Sequence, residues 1–166
     1  MQNVLDTIKR LKEMAFWVEI VTLVVPGFND GDEELRGIAE FIAGVSCAIP
    51  WHVTAFHPDY KMTDPPRTPT ETLLRAYEFG KNAGLQFVYP GNCHGGVGTR
   101  ENTYCPSCTK LLIRRRGFLV DENRMKNGKC HSCGTVVPGV WEADPPTRSN
   151  GDGIPLPIAL VDRKCG

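Results

Sequence analysis

Two pairs of cysteines constrain this chain more than any other feature. Cys105-Pro-Ser-Cys108 and Cys130-His-Ser-Cys133 each place two residues between their thiols, and 21 residues separate the pairs. Two such corners can each clamp one edge of a tetrahedron, and four thiolates close the sphere around one structural metal ion. A closed sphere has no open position for substrate, so its work is to hold the fold. Four thiolates suit zinc and iron alike. The competing readings are two disulfides or four free buried thiols. No sign of secretion favours disulfides, since Met1-Gln-Asn-Val leads straight into an amphipathic helix. Gly134 follows the second corner, where a residue without Cβ helps the chain turn close to a metal, but Thr109 follows the first.

A stretch this short buries little, so metal supplies much of its folding free energy. Lys110 to Val120 reads as a hairpin turning near Gly117. From Cys105 to Cys133 seven Lys and Arg stand against Asp121 and Glu122, a local charge of +5 in a chain that is neutral overall. Such a face is either a solvated surface or a contact for nucleic acid.

The 166 residues allow one modest domain and a small appendage. No apolar run is long enough to span a bilayer, so a soluble cytoplasmic protein without membrane partners is expected. Beyond the four paired cysteines, Cys47, Cys93 and Cys165 share no motif spacing.

Ahead of the cysteines the periodicity alternates. Residues 3–14 read as a helix with Val4, Ile8 and Leu11 on one stripe. Residues 16–25 read as a strand apolar on both faces, the pattern of a parallel strand covered on both sides. Glu19 interrupts it, facing either a barrel lumen or the solvated start of the strand. Pro26 to Gly31 is a turn, and Asp30 is placed to cap a helix carrying Leu35, Ile38, Ala39 and Ile42. A second strand runs from Ala48 to Phe56, with His52 and His57 on opposite faces. Thr68-Pro-Thr-Glu71 offers a capping box for a third helix, and Leu85 to Tyr89 forms a third strand. The order is α/β, with parallel units. Three such strands make half of a larger sheet or barrel, with the strand before the first helix missing. The divisions are residues 1–92 for the partial barrel, 93–141 for a Gly-rich loop and the four-cysteine ribbon, and 142–166 for a Pro-rich tail expected to be disordered. Ligands of such folds sit at the C-terminal ends of strands, here the loops 26–31, 57–66 and 90–98. These hold Asn29, Asp30, His57, Asp59, Tyr60 and Lys61.

Several runs together resemble the C-terminal half of a radical S-adenosylmethionine (SAM) enzyme. They are Val24-Val-Pro-Gly-Phe-Asn-Asp30, Phe56-His-Pro-Asp-Tyr-Lys-Met62, Tyr89-Pro-Gly-Asn92, Glu101-Asn-Thr-Tyr-Cys-Pro-Ser-Cys108 and Cys133-Gly-Thr-Val-Val-Pro-Gly-Val-Trp141. The likeness is to the AmmeMemoRadiSam-system enzymes, relatives of the glycyl-radical activases such as that of pyruvate formate-lyase, and it covers about residues 1–141. It implies a partial (βα)6 barrel in which a [4Fe–4S] cluster cleaves SAM to a 5′-deoxyadenosyl radical. It also implies that His57 contacts SAM, with Asn29 and Asp30 as lesser candidates, and that the strand carrying Glu19 lines the cofactor. The chain departs from that family in one respect that decides its chemistry. No CxxxCxxC occurs, so cluster and SAM are expected only together with an N-terminal half supplied in trans. The alternative expectation is a zinc-ribbon module whose basic face binds nucleic acid or protein. The substrate, protein or small molecule, stays open.

Overall fold

The computed structural model describes residues 1–93 and 96–141. The elements run α1 (Gln2–Glu13), β1 (Ile20–Val24), α2 (Asp32–Val45), β2 (Trp51–Ala55), α3 (Thr70–Asn82), β3 (Val88–Gly91), a 3-10 turn (Gly98–Glu101), β4 (Thr103–Tyr104), β5 (Leu111–Arg116) and β6 (Leu119–Asn123). Two sheets result. β1-β2-β3 are parallel and neighbours in chain order, while β4-β5-β6 are antiparallel. The fold is thus mixed α/β with a separate ribbon. The three parallel strands do not close into a barrel among the described residues.

Register decides which side chains face the helices. Ile20 pairs with Trp51 and Trp51 with Val88. Alternation along β2 then buries Trp51, Val53 and Ala55 against Leu35, Ala39 and Ile42 of α2 and Leu73 and Ala76 of α3. Gly80 lets α3 approach this layer, since a Cβ there would lie 2.7 Å from Val88 Cγ2 and 3.1 Å from Trp51 Cε3. The indole N–H of Trp51 donates to Thr22 Oγ1 at 2.9 Å, satisfying the one polar atom the ring carries into the core.

The opposite face differs from the sequence expectation. Residues 16–25 promise a strand covered on both sides, yet Val21 is 65% exposed and Leu23 48%. Both helices that follow the strands lie on one side of the sheet, and no described element covers β1 on the other. α1 likewise has no buried residue, so its apolar stripe lacks a partner of its own length. Val21 and Leu23 thus stay bare although their run has the apolar pattern of a strand covered on both sides.

Two expected caps also differ. α2 begins after Gly31, with Asp32, Glu33 and Glu34 in its first turn, where carboxylates favour the helix dipole. Asp30 instead accepts the Gly27 amide at 2.8 Å and shapes the preceding turn. α3 begins after Pro69. The Thr68 hydroxyl is drawn away from capping. It accepts the Phe56 amide at 2.8 Å and donates to the Val24 carbonyl, tying together the C-terminal ends of β1 and β2.

The hairpin expected near Gly117 is present, with β5 and β6 paired around that residue at φ +58°. Its core is not confined to the ribbon. Phe87 joins Cys105, Leu112, Ile113, Cys130 and Val137 in one buried cluster, against which Tyr89 and Trp141 pack. The ribbon is therefore anchored on the β3 edge of the parallel sheet. Residues 142–166, including Cys165 and the Pro-rich segment, lie outside the described residues. Among the described residues no helix is long and apolar enough to cross a membrane.

Candidate metal centre and the cavity beside it

Each cysteine pair sits in the same backbone knuckle. The Thr109 amide donates to the Cys105 carbonyl at 3.0 Å, and the Gly134 amide to the Cys130 carbonyl at 2.9 Å. The Cys105 amide then reaches Lys110 and the Cys130 amide Thr135, both at 2.9 Å. These bonds curl each loop so that both thiols of a pair point to one place. All four Sγ atoms lie within 4.8 Å of one another. Cys105 and Cys133 Sγ are 3.6 Å apart, and Cys108 and Cys130 Sγ 3.7 Å. A metal held by four thiolates at about 2.3 Å requires a tetrahedron edge of about 3.8 Å, so the donor set fits one ion. The described cysteines are free, which excludes the disulfide reading of these two pairs in this structure. The Thr135 hydroxyl and amide hold the Cys133 thiol down to about 6, favouring the thiolate that a metal takes.

The two knuckles differ at one position. Gly134 takes φ +71° and Thr109 takes φ +59°. The turn therefore demands a left-handed residue at both places, and a β-branched side chain pays a steric cost there that glycine does not. Thr109→Gly is expected to stabilise the metal-loaded chain by about 1 kcal/mol, the relief of strain exceeding the entropy that glycine loses on folding. Differential scanning calorimetry would then show Tm higher by about 2–4 °C. A lower Tm would mean that the bond from the Thr109 hydroxyl to the Cys108 carbonyl, 2.7 Å long, matters more than the backbone.

Beside this centre, the ribbon and the face of the parallel sheet opposite the helices line a half-open cavity of about 940 Å³. The sheet contributes Glu19, His52, Thr54 and Tyr89, and the ribbon contributes Arg115, Phe118 and Trp141. Trp141 closes one side. Its ring rests on Gly139 and Gly128, where a Cβ would lie 2.5 Å and 2.7 Å from ring carbons, and its N–H donates to the Val137 carbonyl at 2.8 Å.

Glu19 faces this cavity, on the side of the sheet opposite the helices. His52 Nε2 stands 2.8 Å from Glu19 Oε2, and the Trp17 N–H donates to Oε1 at 2.8 Å. The His52 hydrogen bond and then that of Trp17, opposed by partial burial, hold the carboxyl below its usual range. The His52 ring lies 5.3 Å from that of Tyr89. The Tyr89 hydroxyl is 2.9 Å from Thr103 Oγ1, and burial pushes its proton loss above the usual phenol range. Arg115 reaches in from the ribbon, donating to Thr103 Oγ1 and lying 5.6 Å above the Tyr89 ring.

The other sequence-derived candidates lie elsewhere. Asn29 is occupied by its own turn, accepting the Val25 amide at 2.7 Å and donating to the Leu23 carbonyl at 3.0 Å. Asp30 holds Gly27, as above. His57 is exposed, past the end of β2, and neither it nor Asn29 or Asp30 lines the cavity. Of the three strand-end loops, only the last contributes, through Gly91, Asn92 and Cys93. His52, Tyr89, Arg115 and Trp141 are the residues that sequence reasoning left without a role. Strand alternation carries a signal for two of them: His52 falls between buried Trp51 and Val53, and Arg115 between outward Arg114 and Arg116. The basic face is also less open than a count of charges suggests. Arg114 and Arg124 pair with Glu122 at 3.6 Å and 2.6 Å, and Arg116 with Asp121 at 2.7 Å.

No family model matches the chain. An uncharacterized protein of Methanocaldococcus jannaschii is 41% identical over 140 residues, covering 82% of this chain. The chain spans about two-fifths of that relative's length, 41%.

Proposed function

We propose that this chain is the C-terminal part of a radical SAM enzyme of the AmmeMemoRadiSam-system type, contributing half of a (βα)6 barrel and a zinc-loaded four-cysteine ribbon that buttresses it. The observation that carries this reading is the one-sided sheet. Three parallel βα units bury their outer face under α2 and α3, while the inner face presents exposed Val21 and Leu23 beside the Glu19–His52 pair. Apolar side chains left bare on the inner face of a parallel sheet fit strands that other parts of a barrel would cover. The sequence runs that resemble the family, and a relative more than twice as long as the stretch it shares, support the same reading.

The residues present do not fit a SAM-cleaving cluster. The 166 residues contain no CxxxCxxC, Cys47 is buried beside Gln86, and the four ribbon thiols converge on a site of their own. The cluster ligands of the proposed enzyme therefore belong to residues outside this sequence, and no chemical step is assigned to the chain alone.

Anaerobic reconstitution with iron, sulfide and SAM tests the proposal. The chain by itself is expected to hold one zinc and to release no 5′-deoxyadenosine. Joined to the part of the archaeal relative that it does not span, it is expected to gain about four iron and four sulfide and to form 5′-deoxyadenosine on reduction with dithionite. A cluster-loaded chimaera that leaves SAM intact would overturn it.

A further inference from the structure

Among the four ribbon arginines in or beside the hairpin, one stands apart. Arg114, Arg116 and Arg124 each meet a carboxylate. Arg115 turns into the cavity and, among the described residues, has no carboxylate within ion-pair distance. A guanidinium offers five N–H donors, and those of Arg115 are engaged only in part, by Thr103 and by the Tyr89 hydroxyl. The carboxylates that share the cavity take their hydrogen bonds from other donors, although Glu19 is close enough to Arg115 for the two charges to attract. Both oxygens of Glu19 are taken by Trp17 and His52, and Glu101 accepts the Gly117 amide. The remaining walls are largely aromatic or apolar: Trp17, Tyr89, Phe118, Val140 and Trp141. A space of about 940 Å³ is within the range of small-molecule sites, which join apolar walls to a few polar groups.

We infer that this cavity binds a small organic acid with a flat apolar body, its carboxylate or equivalent anionic group held by the free edge of Arg115. The body lies against Trp17 and Trp141, and Phe118, fully exposed at the hairpin tip beside the cavity, is free to fold over it. A planar guanidinium matches a carboxylate with two parallel hydrogen bonds, which is why the charge left open in the cavity selects an acid over a neutral molecule of the same shape. The inference rests on reading this face as a chamber wall, and it names the class of molecule that the chamber takes. Binding needs neither cluster nor SAM, so its failure would leave the proposed family standing.

The test uses the full, metal-loaded chain and two fluorescent probes of similar shape. 1-Anilinonaphthalene-8-sulfonate carries one anionic group, and N-phenyl-1-naphthylamine carries none. The wild-type chain is expected to bind the sulfonate saturably at one site. Arg115→Gln should weaken the sulfonate about tenfold or more and leave the neutral probe within about twofold. Arg116→Gln, which removes an outward charge, should change neither, and Phe118→Ala should weaken both. Arg115→Lys should recover part of the sulfonate affinity. Equal affinity of wild type and Arg115→Gln for the sulfonate would overturn the inference, as would equal loss of both probes in Arg115→Gln and Arg115→Lys.

Discussion

Stripping the metal from the four-cysteine site is expected to unfold the ribbon. The hairpin buries only Leu112 and Ile113 within its strands, and β6 has no buried residue. Two of the six buried residues in its core are themselves metal-site cysteines, Cys105 and Cys130. Without an ion, four thiols within 4.8 Å would lose the group that justifies their convergence. Structural zinc sites supply on the order of 10–16 kcal/mol in isolated finger peptides, more than a hairpin of this size can replace by burial. Removing the metal with a mercurial and a chelator, or replacing Cys108 with Ser, should therefore abolish amide-exchange protection across Leu111–Arg116 and Leu119–Asn123. Amides of Trp51–Ala55 should keep most of theirs, because their partners in β1 and β3 and the helical layer behind them carry no metal ligand. Protection of the hairpin that survives complete metal loss would show that the thiols are structural without an ion. The cavity should be lost with the metal, since Arg115, Phe118 and Trp141 all come from the ribbon.

The convergence of the four cysteines was legible in the sequence because its signal is local: two short loops of fixed spacing, each closing on itself. The alternation of helices and parallel strands was legible for a similar reason, through period and turn residues. What the sequence left obscure depends on register and on the placement of distant segments. Nothing in residues 16–25 reveals that Val21 and Leu23 would stay bare, because an apolar run reads the same whether one face or both faces are covered. Glu19 could be placed on the inner face only once Ile20 was known to pair with Trp51 and His52 was brought within 2.8 Å of it. The caps failed differently. Asp30 and Thr68 have the right chemistry at nearly the right place, yet a neighbouring amide or carbonyl competed for each side chain and won. Arg115 shows the same limit. Its inward turn follows from strand alternation, but its lack of a carboxylate depends on Asp121 and Glu122 lying on the outward side.

Replacing Trp51 with Ala is expected to cost about 3–5 kcal/mol, the range for truncating a buried aromatic side chain. A domain with a total stability of about 5–15 kcal/mol would come close to unfolding. Trp51 has no exposed surface and stands in the middle strand, between Ile20 on one side and Val88 on the other. α3 comes close to its ring at Gly80, so the void cannot collapse without moving a helix. Urea denaturation should give a midpoint far below that of the wild type. Trp51→Phe, which keeps most of the volume but leaves Thr22 Oγ1 without its donor, should lose only about 1–2 kcal/mol. The effect should reach the cavity although Trp51 does not line it. The alternation that buries Trp51 and Val53 is what turns His52 and Thr54 to the inner face, so loosening β2 frees His52 from Glu19 and both from Tyr89. The metal should remain bound in the Ala variant, because all four candidate ligands lie in the ribbon. A variant that keeps its metal yet loses the single saturable sulfonate site would show that the parallel sheet and the four-cysteine ribbon are separable in stability but joint owners of the cavity. An Ala variant with a wild-type midpoint would instead mean that Trp51 is not the keystone of the sheet.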